Sequence, residues 1–124
     1  MDFQNKSPVD LGKVQQMIGT DQELFRSLVD IFTEEAGAQL SAIEKSITNT
    51  DSTCLDNSSH SFKSSLATLG AITVSNLAEQ LELIGKAGSV NGSLKIFTQL
   101  KLEYEKVASY LESGRWIKDW DLYK

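Results

Sequence analysis

The chain has 124 residues, 40% hydrophobic and 23% charged, and a formal net charge of −5 at pH 7. A chain of this length is one domain, able to bury roughly two-thirds of its unfolded surface without staples. The acidic balance argues against a nucleic-acid or anionic-membrane partner, no apolar run reaches the roughly 18 residues of a membrane span, and the lone Cys54 excludes a disulfide framework and fits a reducing cytoplasm.

Residues 1–8 are polar and expected to fray, with Pro8 close to a helix start. They contain no signal-peptide core, and the initiating methionine with no flanking linker predicts a free-standing protein. Asp10 can cap a short helix whose apolar positions are Leu11, Val14, Met17 and Ile18 and which ends at Gly19. Thr20 and Glu23 then have the spacing of a capping box. A long helix follows, with Leu24, Leu28, Ile31, Leu40, Ile43 and Ile47 as its predicted core, unbroken at Gly37 although that glycine costs about 1 kcal/mol against alanine.

Residues 49–52 form a turn and cap cluster that starts the next helix, and Gly70 ends it where a positive φ is easiest. Thr73 or Ser75 can cap a helix with core positions Val74, Leu77, Leu81 and Ile84, stopping near Gly88. The last helix is predicted over 91–113, carrying Leu94, Phe97, Leu100, Tyr104, Val107, Ala108 and Leu111, with Gly114 closing it and 115–124 as an aromatic-rich tail. Short connections make sequential helices antiparallel neighbours, so the fold class is all-α: an up-down-up-down four-helix bundle with the short first helix across one end.

The only histidine, His60, lies on the third of these helices. At 100° per residue, Leu55, Phe62, Leu66 and Leu69 share one stripe, from which Lys63 lies roughly 80°, Ala67 roughly 120°, His60 roughly 140° and Ser64 roughly 180° away. His60 therefore faces water. Lys63 and Ser64, at i+3 and i+4, are its helical neighbours and lean back over its ring. A nucleophilic imidazole beside a cation and small hydroxyl side chains makes an anion-transfer site. Taken singly, Lys63 reads as an ordinary solvated lysine, and Ser64 and Ser65 as helix serines bonded to the i−4 carbonyl. Asp56, at i−4, either bonds the ring or serves as an early-turn acid. Cys54 reads as a small, partly buried residue.

The order His60, apolar Phe62, Lys63, Ser64, Ser65, Leu69, Gly70 resembles the histidine-containing phosphotransfer (HPt) family. The similarity extends from Val9-Asp10-Leu11, through residues 20–24 and 28–32, to residues 77–82, and spans roughly 9–111 of a single domain, 1–124. Ser64 departs from the glycine most common there, and the Lys-Ser-Ser run resembles the LuxU-like phosphorelay proteins of bacterial quorum sensing.

The resemblance implies that His60 accepts a phosphoryl group, that Lys63 stabilises it, and that Ser65 and Gly70 are structural parts of the motif. It also implies an open face for partners at Ser64 and Ala67. Leu11, Val14 and Ile18 of the first helix are candidates for the same docking surface, because the bundle is not expected to bury them fully. Lys86, which matches a position where some relatives carry a second basic residue, is counted with these partner-binding candidates; as a cation near a helix C-terminus it has an equally ordinary reading. The expected partners are receiver domains of a hybrid sensor histidine kinase and of a response regulator, met by a monomer.

The chain has no P-loop, no glycine-rich nucleotide loop and no Mg²⁺-type carboxylate pair, and one histidine with one cysteine makes a dedicated zinc site improbable. No cofactor of its own is expected; Mg²⁺ would belong to the receivers. Two functions compete: a carrier that passes phosphate between receiver aspartates without being an enzyme in its own right, and a non-transferring module that binds and sequesters a receiver or another partner.

Overall fold

The computed structural model describes residues 7–124, and all of its regular elements are helical. The helices are α1 (Leu11–Ile18), α2 (Gln22–Thr48), α3 (Ser52–Thr68), α4 (Ile72–Lys86), α5 (Ser93–Glu112) and α6 (Arg115–Trp120), followed by a 3-10 turn at Asp121–Tyr123. Helices α2 to α5 form the up-down-up-down bundle, each packed on the next in sequence and α5 closing on α2. Of residues 1–8, expected to fray, 1–6 lie outside the described residues; Ser7 and Pro8 are half-buried and Val9 is buried.

The local signals act as their chemistry dictates. Asp10 caps α1 by accepting from Lys13 N (3.0 Å), and Asp51 caps α3 by accepting from Cys54 N (3.0 Å). The second helix runs through Gly37 without interruption. Gly70 takes φ 76° after α3, and its carbonyl accepts from Asp10 N (2.8 Å), so α1 lies across the end of the bundle where α3 turns into α4. A Cβ on Gly70 would stand 2.8 Å from Asp10 O, so the close approach requires glycine as much as the turn does.

Several expectations are corrected. The cap of α2 is Asp21, which accepts from Leu24 N (3.2 Å), and no Thr20–Glu23 capping box forms; the Thr20 carbonyl accepts from Trp120 Nε1 (3.2 Å). The first half of α2 buries Phe25, Val29 and Phe32, while Leu24 and Ile31 are exposed and Leu28 packs against the core only partly buried. The two series are offset by one residue, or roughly 100°, and Ile31 to Leu40 is nine residues, roughly half a turn out of phase. Aromatic contact selects the phenylalanines: Phe25 stacks on Trp120 at 5.2 Å, and Phe32 lies 6.1 Å from both Phe62 and Tyr104.

Helix α4 has Ala71 at its N-cap position and no side-chain cap, and Ser75 instead donates across to Lys63 O (3.2 Å). Met17 and Leu94 are exposed, and Tyr110 joins the core. The expected tail is a packed element: Trp116 and Trp120 of α6 are buried, and Gln15 Nε2 donates to Trp120 O (2.9 Å). Helices α1 and α6 therefore close the same end of the bundle together, leaving the middle of α3 open.

Candidate functional site

Among the described residues, helices α3 and α4 pack against each other more extensively than any other pair. A Cβ at Gly85 would stand 2.5 Å from Asp56 N and 2.7 Å from Ser52 O, so only glycine lets the backbones meet there. One helical turn before Gly85, this contact sets Glu82 against the His60 turn of α3.

His60 sits at mid-helix with its side chain 61% exposed, as the wheel predicts. Its Nδ1 lies 2.8 Å from Glu82 Oε2. The ring does not stand alone with Lys63: Lys63 Nζ donates to the other oxygen of the same carboxylate, Glu82 Oε1, at 2.6 Å. On the far side, Lys86 Nζ lies 3.4 Å from Glu82 Oε2 and 3.3 Å from Asp56 Oδ1. Glu82 is only 3% exposed and is the hub of the cluster.

The hydrogen bond from Lys63 holds the Glu82 carboxyl down at about 2, with His60 and Lys86 acting in the same sense and burial opposing them. An ionised carboxylate only accepts, so the proton between Glu82 and the ring belongs to Nδ1. In the neutral imidazole this leaves the lone pair on Nε2, in a ring whose side chain is largely exposed.

The remaining sequence candidates fall in different places. Ser64 is exposed and its hydroxyl donates to His60 O (3.2 Å), while that of half-buried Ser65 donates to Ser61 O (3.3 Å), the i−4 bonds expected of helix serines. Ala67 is half-buried one turn from Lys63. Gly70 belongs to the α1 junction. Asp56 bonds Lys86 and not the ring, and it lies past the first turn of α3, so neither reading offered for it holds. Cys54 is half-buried, with Sγ 3.6 Å from Ser58 Oγ.

Leu11 and Val14 are corrected as docking residues: both are fully buried, since α1 lies between the α3–α4 turn and α6. Ile18 is half-buried, and Met17 presents 51% of its surface. Ile31 of α2 is 52% exposed. Ala38 and Ala42 line a groove with Asn57, Ser58 and Ser61, which marks the side of α2 that faces α3, and Ile31, Glu35, Ala38 and Ala42 follow one another on that side.

Sequence reasoning missed Glu82. The available signal was weak: Ser75, Glu82 and Lys86 flank the apolar stripe of α4 on one side, and Glu82 and Lys86 are an i,i+4 acid–base pair.

The sequence model described as the Hpt domain matches residues 27–110, more than half of the chain. Among solved structures, the chain is similar to the crystal structure of histidine-containing phosphotransfer protein B (HptB) from Pseudomonas aeruginosa PAO1, with a TM-score of 0.78 and 19% sequence identity. The similarity covers 86% of this chain and 93% of that one. No curated protein matches the sequence.

Proposed function

The chain belongs to the Hpt domain family, and from that membership we infer that its phosphorelay role in two-component signalling is carried by Nε2 of His60. The observation that supports this assignment is the Nδ1 contact with Glu82, which leaves Nε2 as the one ring nitrogen with a free lone pair on an open surface.

In the accepting step, the Nε2 lone pair forms a bond to phosphorus as the P–O bond to a receiver's aspartate breaks. The departing electron pair leaves with the aspartate carboxylate. The ring becomes a phosphoimidazolium, with its positive charge shared toward Nδ1–H and stabilised by Glu82 at 2.8 Å. The delivering step reverses this: a second aspartate attacks, the N–P bond breaks, and its electron pair returns to Nε2. Positioning and charge neutralisation do most of the work in such a transfer. Lys63, three residues from His60 on the same helix, is the cation assigned to the phosphoryl oxygens.

The partners are receiver domains, one of a hybrid sensor kinase and one of a response regulator, which meet a monomeric carrier in the cytoplasm. Mg²⁺ belongs to the receivers, and the carrier uses no cofactor and no nucleotide of its own. The docking surface comprises Ser64 and Ala67 of α3, Ile31 of α2, and Met17 and Ile18 of α1. Ser64, Ile31 and Met17 are exposed and Ala67 and Ile18 half-buried beside them, and a small interface near about 1,200 Å² suits a partner that must be released quickly. Label transfer from a phosphorylated receiver tests the reading: label should appear on this chain, at His60, and should pass on to a second receiver.

A further inference from the structure

We propose that Lys86 is a positioning residue for phosphoryl transfer, which holds Glu82 when Lys63 leaves that carboxylate for the phosphoryl group. The proposal rests on the assignment of His60 as acceptor and Lys63 as its cation.

In the resting site Lys63 is committed elsewhere. Its 2.6 Å contact with Glu82 Oε1 is the shortest in the cluster, so moving toward a phosphoryl group on Nε2 draws Lys63 off that oxygen. If Lys63 left without replacement, a carboxylate only 3% exposed would lose its principal counter-charge, and stranding a buried ion is costly. Lys86 is placed to prevent this. Its ammonium lies between Asp56 and Glu82, at 3.3 and 3.4 Å, and its side chain is 53% exposed, so a small shift tightens it onto Glu82.

Lys86 also approaches Glu82 Oε2, the oxygen that takes the His60 Nδ1–H. It thus lies on the Nδ1 side of the imidazole, away from the nitrogen that bears the phosphoryl group. The charged groups meeting Glu82 are His60 and Lys63 from α3 and Lys86 from α4, with Asp56 of α3 behind Lys86; among the described residues no ion pair reaches it from α5. Two lysines on one carboxylate give the site a cation to lend and a cation to keep.

Phosphoramidate tests this without any receiver. Its P–N bond breaks, ammonia leaves with the electron pair, and Nε2 bonds phosphorus, so docking plays no part. The rate of His60 labelling is measured for the parent, Lys86→Ala, Lys86→Arg, Lys63→Ala and the double alanine variant. Lys86→Ala should be slower by about fivefold, the upper range for a partly exposed ion pair. Lys86→Arg should recover most of that rate. The double variant should be no slower than Lys63→Ala, because without Lys86 the contribution of Lys63 is already lost. In ¹⁵N spectra the Lys63 ammonium signal should move on phosphorylation of the parent and stay in place in Lys86→Ala, a difference that a structural role for half-exposed Lys86 would not produce.

Labelling of Lys86→Ala at the parental rate overturns the proposal, including the case where a defect appears only with a receiver as donor, which makes Lys86 a docking residue. Fully multiplicative losses in the double variant also overturn it, since they mean that Lys86 touches the phosphoryl group independently. Failure of the underlying reading looks different: His60→Gln would be labelled as fast as the parent.

Discussion

Gly85 of α4 and Asp56 of α3 meet so closely that a Cβ on Gly85 would stand 2.5 Å from the Asp56 amide nitrogen. The backbone atoms cannot yield as a flexible side chain would, so any larger residue must push the helices apart. The same contact brings Glu82 to His60 and Lys86 to Asp56, so helix packing and site geometry share one origin.

Gly85→Ala should therefore lower stability by about 1–3 kcal/mol, the usual cost of overpacking, and slow labelling of His60 as well. Gly37→Ala is the matched control, because nothing lies within 4 Å of a Cβ there. In mid-helix it should gain about 0.5–1 kcal/mol. Thermal unfolding of the two variants checks both signs; equal effects would mean that the α3–α4 approach is not constrained.

His60→Gln should fold and melt like the parent and accept no phosphate from a charged receiver, since the side chain it replaces is mostly exposed. Lys63→Ala should be labelled more slowly and lose its phosphoryl group sooner. Its stability should fall by about 1 kcal/mol, because its partner Glu82 is buried yet keeps His60 and Lys86. Transfer assays with melting curves separate the two effects; full labelling of His60→Gln would remove the acceptor assignment.

Glu82 also sets an acid limit. Its carboxyl titrates at about 2 in the folded protein against an ordinary value of 4.5, so the folded state prefers the ionised form. The resulting stability is fully present above pH 4.5 and is lost as pH falls from 4.5 toward 2. Glu82→Gln should be less stable at neutral pH and should show a shallower loss across that window. Urea unfolding at a series of pH values measures the slopes; identical slopes would place the acid sensitivity in other carboxylates.

Bulk on the docking face should weaken partners without unfolding the bundle. Ser64→Tyr, on an exposed position one turn from His60, should melt near the parent and bind a receiver much less tightly. Ile31→Glu should do the same from α2, while Ser64→Gly should bind and transfer at least as well as the parent. Calorimetric or NMR titration with a receiver decides; parental affinity in both bulky and charged variants would move the interface elsewhere.

Features that depend only on neighbours along the chain are legible in the order of residues. Helix starts at Asp10 and Asp51, the stop at Gly70, the continuity of α2 through Gly37 and the outward face of His60 all follow from caps, backbone freedom and a 3.6-residue period. These are local properties, and the motif around His60 lies within a few turns of one helix. The remaining features arise from contacts between elements distant in the chain. Two overlapping apolar series on α2 are equally helical, and the choice between them came from Trp120, Phe62 and Tyr104 on other elements. Leu11 and Val14 looked available because nothing local predicts that α6 returns to the end of the bundle and that Gln15 bonds Trp120, 105 residues away. Glu82 stayed hidden for the same reason: a carboxylate on a polar flank reads as solvated until the glycine contact at Gly85 draws it against His60, 22 residues earlier.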